Sequence, residues 1–380
     1  MKEVEDKAKK YQQIRRRLTL FHLLLTPALL IVLIASGLTF GMRQNAIAIT
    51  GGNDWGVVAV YFMLFSLYFL MFDLPLEYYA DFFLEHQFGL SNQNFRQWGV
   101  DFLKKASLSF ALSLGLLEAL YLIIRKFPGT WWLWAWAAYA FVSYVMGKLF
   151  PVFIVPLFYK YGKLEDKELE TRVLKFAARF GLPVQNVYSL NLSKTTKKAN
   201  AAFMGIGKTK RIVLSDTLIS NFTHDEIETV LAHELGHFKH HDVWRFLGFG
   251  LVMSLAAFWM GFQGVNALGA SMNLSSAADV AGLPLLFLIF YAVNFVLMPA
   301  SNAYSRRRER VADLFALKAT GNKDVFISTM QKLGQQNLAD PAPPAWYEWF
   351  FYNHPAIHRR IEMAKRQALD QRLGTRDQRL

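Results

Sequence analysis

The chain contains no cysteine. That absence removes disulfides, a thiol nucleophile and any thiolate metal site, so a metal held here must rely on imidazole and carboxylate. Internal repeats and low-complexity linkers are also absent. Acidic residues are few beside basic ones, 29 against 42, which leaves a net charge of +13 on 380 residues. No recognisable nucleic-acid reading motif accompanies this charge, and no nucleic-acid partner is expected. Hydrophobic residues make up 53% of the chain, aromatic residues 15%, and the mean hydropathy is +0.18. This composition fits a membrane protein better than a soluble one. In such a chain Lys and Arg mark cytoplasmic loops and lipid headgroup contacts.

Residues 1–17 are polar and basic and end in Arg15, Arg16 and Arg17, after which Leu18 to about Phe40 is apolar. A secretory signal has a shorter core and a small-residue cleavage site, so this run reads as a retained transmembrane helix. Further spans are expected at about 56–80, 106–125, 130–150, 246–266 and 281–300, each near the roughly twenty residues a bilayer requires. The segment from Pro151 to Phe158 prolongs the fourth span, forms a broken helix or adds a seventh segment; the sequence leaves these open. The N-terminal segment holds seven Lys/Arg, against one in 42–55 and none in 267–280. The positive-inside rule therefore places both termini and the polar segment 157–245 in the cytoplasm. Arg125 and Lys126 fall on the opposite side.

Within the polar segment, 164–181 reads as an amphipathic helix ending at Gly181, with Pro183 following. Val187–Leu192, Ala201–Ile206 and Arg211–Leu214 read as short strands, with Gly205 and Gly207 near a turn. Thr223 and Glu226 form a capping box that starts the next helix. That helix carries His233-Glu234-Leu-Gly-His237. Residues four apart share a helix face, so His233 and His237 can offer both imidazoles to one metal ion. No proline interrupts this helix, which is expected to run on into the next span.

A third ligand is needed, and Glu309 can supply it. Asp313, one turn on, can accept a hydrogen bond from the far nitrogen of a ligand imidazole and fix its tautomer. A third histidine ten residues after the first would fall at Val243, so the metzincin pattern fails. His237 and Glu309 each lie nine residues from an adjoining apolar run, roughly 13 Å if the helices continue. Two neighbouring antiparallel spans thus bring His233, His237 and Glu309 to one height. The chemistry that follows is peptide hydrolysis without a covalent intermediate. One Zn2+ per chain is held by three side chains with a fourth position open, and Glu234 takes a proton from the attacking water and passes it to the leaving amine. His240 and His241 read as a polar rim at the membrane surface, and His22 and His86 as structural. His354 is either an exposed loop residue or a donor facing the metal.

The chain resembles the integral-membrane zinc metalloproteases of the type I CAAX prenyl protease (Ste24-like) group, in the M48 peptidase family. The resemblance rests on Glu85 to Asn92, Trp98 with Asp101 and Lys104, Pro151 to Phe158, Asn200 to Phe203 and Lys210 to Leu218. His233 to His237, Glu309 with Asp313, and Asn353 to Pro355 complete it. It implies a mainly α, polytopic fold of six to seven spans forming an α-barrel round a chamber, with a small cytoplasmic α+β region. It implies that His233, His237 and Glu309 ligate zinc, that Glu234 is the base, that Asp313 supports a ligand histidine, that Asn200 binds substrate backbone and that His354 stabilises the oxyanion. The expected substrate is a peptide or protein tail, lipidated or not, reached from the lipid bilayer. The short length and brief connection between the last two spans point to a bacterial-type homologue in the cytoplasmic membrane, its site facing the cytoplasm. An ER membrane is expected if the source is eukaryotic. The second reading is an HtpX-like quality-control protease, a group that lacks the long N-terminal half; a non-catalytic membrane scaffold is the third. The expected organisation is 1–160 for the N-terminal helices, 161–245 for the HExxH segment, 246–300 for the last two spans and 301–380 for the segment with the third ligand.

Overall fold

Side-chain caps and left-handed glycines set several ends of the long apolar helices. The computed structural model describes residues 2–181, 187–204 and 211–377. Helix α1 (Lys2–Ala35) stops before Gly37, whose φ of 71° favours a residue without a Cβ. The apolar run to Phe40 is therefore not one span, because a separate helix α2 (Leu38–Thr50) begins inside it. Asn53 caps α3 (Asp54–Glu77), which continues through a π-helical turn (Tyr78–Phe83) into α4 (Leu84–Gln87). An Asn94–Gln97 capping box starts α5 (Phe95–Lys126). Helix α6 (Trp131–Leu149) passes through a second π-helical turn (Phe150–Ile154) into α7 (Val155–Phe158). Pro151 has no N–H for the α ladder, which accounts for the local widening. The segment from Pro151 thus prolongs the fourth span.

A small α+β region follows: β1 (Tyr161–Lys163), α8 (Lys167–Arg179), β2 (Val187–Leu190), β3 (Ala201–Met204), β4 (Arg211–Ser215) and α9 (Asp216–Asn221). The amphipathic helix is shorter than 164–181 because Asp166 caps it and accepts from the Leu169 amide. Pro183, Gly205, Ile206 and Gly207 lie outside the described residues. The strand order is β1-β2-β4-β3, with β2 and β4 parallel and the outer pairs antiparallel. Strand β3 is therefore an edge. Next come α10 (His224–Lys239), α11 (Asp242–Leu268), α12 (Leu283–Thr320), α13 (Lys323–Gln336), α14 (Ala345–Phe351) and α15 (Ile357–Asp377).

Among the described residues six stretches are long and apolar enough to cross a membrane: Glu3–Ala35, Asp54–Gln87, Phe95–Lys126, Trp131–Phe158, Asp242–Leu268 and Val280–Thr320. Arg125, on the unfavoured side by charge, forms an ion pair of 2.9 Å with Asp54. The long helices pack in a closed order, α1 on α2, α3, α5, α6, α11 and α12, with α12 back on α1. Leu33, Ala46, Tyr61, Tyr121 and Leu283 belong to one buried cluster within this ring. Val280–Thr320 buries 44% of its most apolar window, whereas the other five bury 6–22%. It is thus α12 that both completes the ring and enters the second core. There Leu169, Leu214, Leu231 and Leu235 meet Ala316, Phe326, Met330 and Ala364. Each such Leu or Phe contributes about 1.5–3 kcal/mol by leaving water. The segments before α11 and after α12 share this one core.

Candidate metal centre and active site

The capping box starts α10 as expected: Thr223 Oγ1 accepts from the Glu226 amide, and the Thr223 amide donates to Glu226. Glu226 is further tied to α13 by Ser328 and Lys332, each at 2.7 Å. These contacts fix the rotation of α10 and turn His233 and His237 towards α12. Gly236 lets the two helices touch, since a Cβ there would stand 2.9 Å from the Ala312 Cα.

Helix α10 does not continue into the membrane. It ends at Lys239, and His241 takes a left-handed φ of 56° before α11 starts at Asp242. The reason is visible at Asp242. On an unbroken helix, five residues on from His237, it would point about 140° away from that side chain. The break brings it back, and Asp242 Oδ2 accepts from His237 Nδ1 at 2.9 Å. His240 and His241 serve this hinge and are not among the ligating atoms.

His233, His237 and Glu309 each place one ligand atom within 4.8 Å of the other two. The Nε2 atoms of His233 and His237 lie 3.2 Å apart and each is 3.2 Å from a Glu309 oxygen. Both far nitrogens face carboxylates: His233 Nδ1 lies 2.8 Å from Asp313 Oδ1, as His237 does from Asp242. A neutral imidazole that donates from Nδ1 has a lone pair at Nε2. Once deprotonated, the two imidazoles therefore aim their lone pairs at the Glu309 carboxylate, whose Oε2 is buried with no hydrogen-bond partner. The donor set fits a divalent cation.

Two arginines support the carboxylates. Arg308 Nε donates to Asp242 Oδ1 at 2.6 Å, and Arg360 Nε donates to Asp313 Oδ2 at 2.8 Å. Asp313 is fully buried. Asp242, Arg308 and Arg360 escaped the sequence reading; the hinge hid the first pair, and Arg360 lies 47 residues beyond Asp313. Burial pulls the His233 pKa down, but Asp313 and Glu309 outweigh it and raise it to about 9. His237 is raised the same way, against burial, chiefly by Glu309. Burial also raises Glu234, with Glu309 adding to it, against His233 and His237.

One cleft of about 350 Å3 is lined by His233, Glu234, Asn200, Ala201, His354 and Arg360. His354, on the loop after α14, lies with Nε2 3.3 Å from Glu309 Oε1 while half its side chain remains exposed. Asn200 precedes β3; its amide donates to Ser215 Oγ at 3.0 Å, and its carbonyl accepts from the Ser215 amide. The structure thus brings together every residue picked out for the site. His86 lies elsewhere, its ring nitrogens each 2.6 Å from the carbonyls of Phe82 and Gln93, and His22 faces Asp73.

A metal-binding triad with a carboxylate beside it, on a hinge between a small α+β cap and six membrane helices, defines a membrane metallopeptidase. Comparison with known proteins agrees. Residues 163–368 match the profile of Peptidase family M48, and residues 1–160 match the profile described as CAAX prenyl protease N-terminal, five membrane helices. The chain is 30% identical over 364 residues to the uncharacterized metalloprotease YhfN of Bacillus subtilis, covering 95% of this chain and 85% of that one. It is 32% identical over 311 residues to CAAX prenyl protease 1 of Saccharomyces cerevisiae, covering 76% and 68%. The fold is similar to the crystal structure of S. mikatae Ste24p, with a TM-score of 0.87 at 25% identity over 96% of this chain and 89% of that chain. The chain belongs to peptidase family M48. It is an integral membrane protein with a helical, Ste24-like fold, and its substrates are peptides.

Proposed function

We propose that the chain is a zinc endopeptidase that cuts peptides or protein tails, including prenylated C-a-a-X tails, at the cytoplasmic face of the membrane. The observation that carries this reading is the cleft lined by Glu234, His233, Asn200 and His354, with His237 and Glu309 completing the metal-binding triad at His233. One Zn2+ per chain suits two imidazoles and a carboxylate. When bound, zinc supplies a Lewis acid that polarises the scissile carbonyl and acidifies water. Glu234, its pKa raised by burial, accepts a proton on its carboxylate and returns it to the leaving amine. His354 donates from Nε2 to the developing oxyanion. Asn200 and the open edge of β3 hold the substrate backbone, and Asp313 keeps His233 in the Nδ1–H tautomer.

The four sequence segments serve this in turn: 1–160 forms most of the ring, 161–245 brings the base and two ligands, 246–300 anchors them, and 301–380 brings the third ligand. The N-terminal match over residues 1–160 favours this reading over an HtpX-like protease. The charge of the N-terminal segment supports a cytoplasmic site, in a bacterial-type cytoplasmic membrane. No nucleic-acid partner is proposed. The test is incubation of zinc-loaded protein with paired prenylated and unprenylated C-a-a-X peptides, beside Glu234→Gln. Cleavage lost in Glu234→Gln with zinc retained is expected; full activity in that variant removes the mechanism. Strict preference for the prenylated peptide supports tail processing, and equal cleavage of both points to general proteolysis.

A further inference from the structure

Glu85 lies 8% exposed in α4 and takes no part in the chemistry above. Lys198 Nζ stands 2.9 Å from its Oε2 and 3.0 Å from its Oε1. Tyr11 OH donates to the same carboxylate, and Arg15 Nη2 approaches within 3.6 Å. Ala8, Tyr11, Leu84, Phe88, Leu90 and Leu338 form a buried cluster around this pair. Such an ion pair is screened little, unlike an exposed one.

Lys198 lies two residues before Asn200 and three before β3. The stretch leading to it is laid along the loop after Glu85: Lys197 N and Thr196 Oγ1 donate to the Leu90 carbonyl at 2.9 and 3.0 Å, and Asn92 N donates to the Thr195 carbonyl at 3.0 Å. On the other side, Asn337 Oδ1 accepts from the Ala199 amide at 2.9 Å, and Thr217 Oγ1 donates to the Lys198 carbonyl at 2.8 Å. The backbone entering β3 is thus fixed between the membrane helices and the cap. Residues 85 and 198 are on different bodies, one in the ring and one in the cap.

We infer that Glu85 and Lys198 are positioning residues for peptide hydrolysis: their ion pair sets where Asn200 and the open edge of β3 stand over the cleft. The inference rests on the proposal that this edge holds the substrate backbone. Breaking the pair leaves the metal triad intact, since His233, His237 and Glu309 sit on α10 and α12. It loosens the strand against which an extended peptide is laid. The loss therefore appears in KM first and in the chemical step second.

The test uses the full chain in lipid nanodiscs, with Glu85→Gln, Lys198→Met and the exchanged pair Glu85→Lys with Lys198→Glu. Two readouts are taken, hydrogen exchange at the β3 amides 201–204 and kinetics on an internally quenched, farnesylated C-a-a-X peptide. Faster β3 exchange, a KM raised about tenfold and a kcat within about twofold are expected in the single variants, with zinc content unchanged. The exchanged pair should recover most of both. Thr196→Val, which removes two hydrogen bonds, one to the Leu90 carbonyl and one from the Lys198 amide, and no charge, should shift exchange and KM in the same direction by less. Unchanged β3 exchange, or a kcat loss with KM unmoved, overturns the inference. Absence of wild-type cleavage alongside faster β3 exchange in the variants strikes the proposed function alone.

Discussion

Gly236 and Ala312 meet backbone to backbone: a Cβ on Gly236 would stand 2.9 Å from the Ala312 Cα and 3.2 Å from its carbonyl oxygen. Neither atom is a flexible side-chain end, so an added methyl must move a helix. Since α10 carries two ligands and α12 the third, separating them widens the triad. Gly236→Ala should cost about 1–3 kcal/mol of stability and weaken zinc binding. Gly248→Ala, where nothing lies within 4 Å of the new Cβ, is the control and should do neither. Thermal unfolding with and without zinc, together with chelator competition, reads both effects.

The two ligand histidines are held alike, His233 by Asp313 and Arg360, His237 by Asp242 and Arg308. Removing a carboxylate that orients a ligand imidazole costs roughly 10–100-fold in metal affinity. Asp242→Asn should therefore fall in that range even though Asp242 is not itself one of the three metal-binding side chains. Arg308→Met leaves the Asp242 charge buried and without its guanidinium, so it should destabilise the metal-free protein as well. Zinc titration and metal-free melting of both variants check this; unchanged affinity in Asp242→Asn removes its assigned role.

How much of this was legible beforehand depended on sequence distance and helix continuity. His233, Glu234 and His237 repeat at helical spacing, and Glu309 with Asp313 repeats one turn apart on a continuous α12, so the triad could be read from period alone. Thr223 and Glu226 announced their helix start by local chemistry. Asp242 could not be found that way, because its approach to His237 depends on the left-handed His241, a conformation no spacing rule assigns to histidine. Gly37 ended the first span earlier than its hydropathy suggested, since φ and apolarity are independent properties. The three-residue β1 is fixed by pairing with β2 and not by any pattern of its own. The Glu85–Lys198 pair, 113 residues apart, is a purely tertiary fact.

Zinc binding should depend on pH with a definite sign. Against the effect of burial, Asp313 and Glu309 raise metal-free His233 to about 9, so near neutral pH it holds a proton that zinc must displace. His237 is raised too. Apparent affinity should therefore climb with pH, by about tenfold per unit for each displaced proton, and level off above about 9. The metal-free protein should run the other way. A histidine whose folded pKa exceeds its unfolded value of 6.5 stabilises fully below that value, and the contribution is lost as pH rises through about 9. Calorimetry in buffers of different ionisation enthalpy counts the released protons, and a pH-independent affinity between about 6 and 9 would falsify the assignment.

Glu226 offers a test of the scaffold with the opposite sign. Burial alone would raise its pKa, but Lys332, the Thr223 amide and Ser328 together hold it below 4.5. A carboxylate depressed on folding stabilises above its unfolded pKa, and that contribution disappears as pH falls through the folded value. Glu226→Gln keeps an acceptor for the Thr223 amide but gives up the Lys332 ion pair, whereas Glu226→Ala gives up both. The expected order of stability at neutral pH is wild type, Gln, then Ala, with the alanine variant about 1–3 kcal/mol below wild type. Because protonation deprives the wild type of the same ion pair, its advantage over Glu226→Gln should shrink as pH drops below 4.5. Denaturant titrations at several pH values measure that difference directly. A gap that stays constant into acid would mean that Lys332 contributes nothing to holding α10, and that the orientation of His233 and His237 is set by the α10–α12 contact alone.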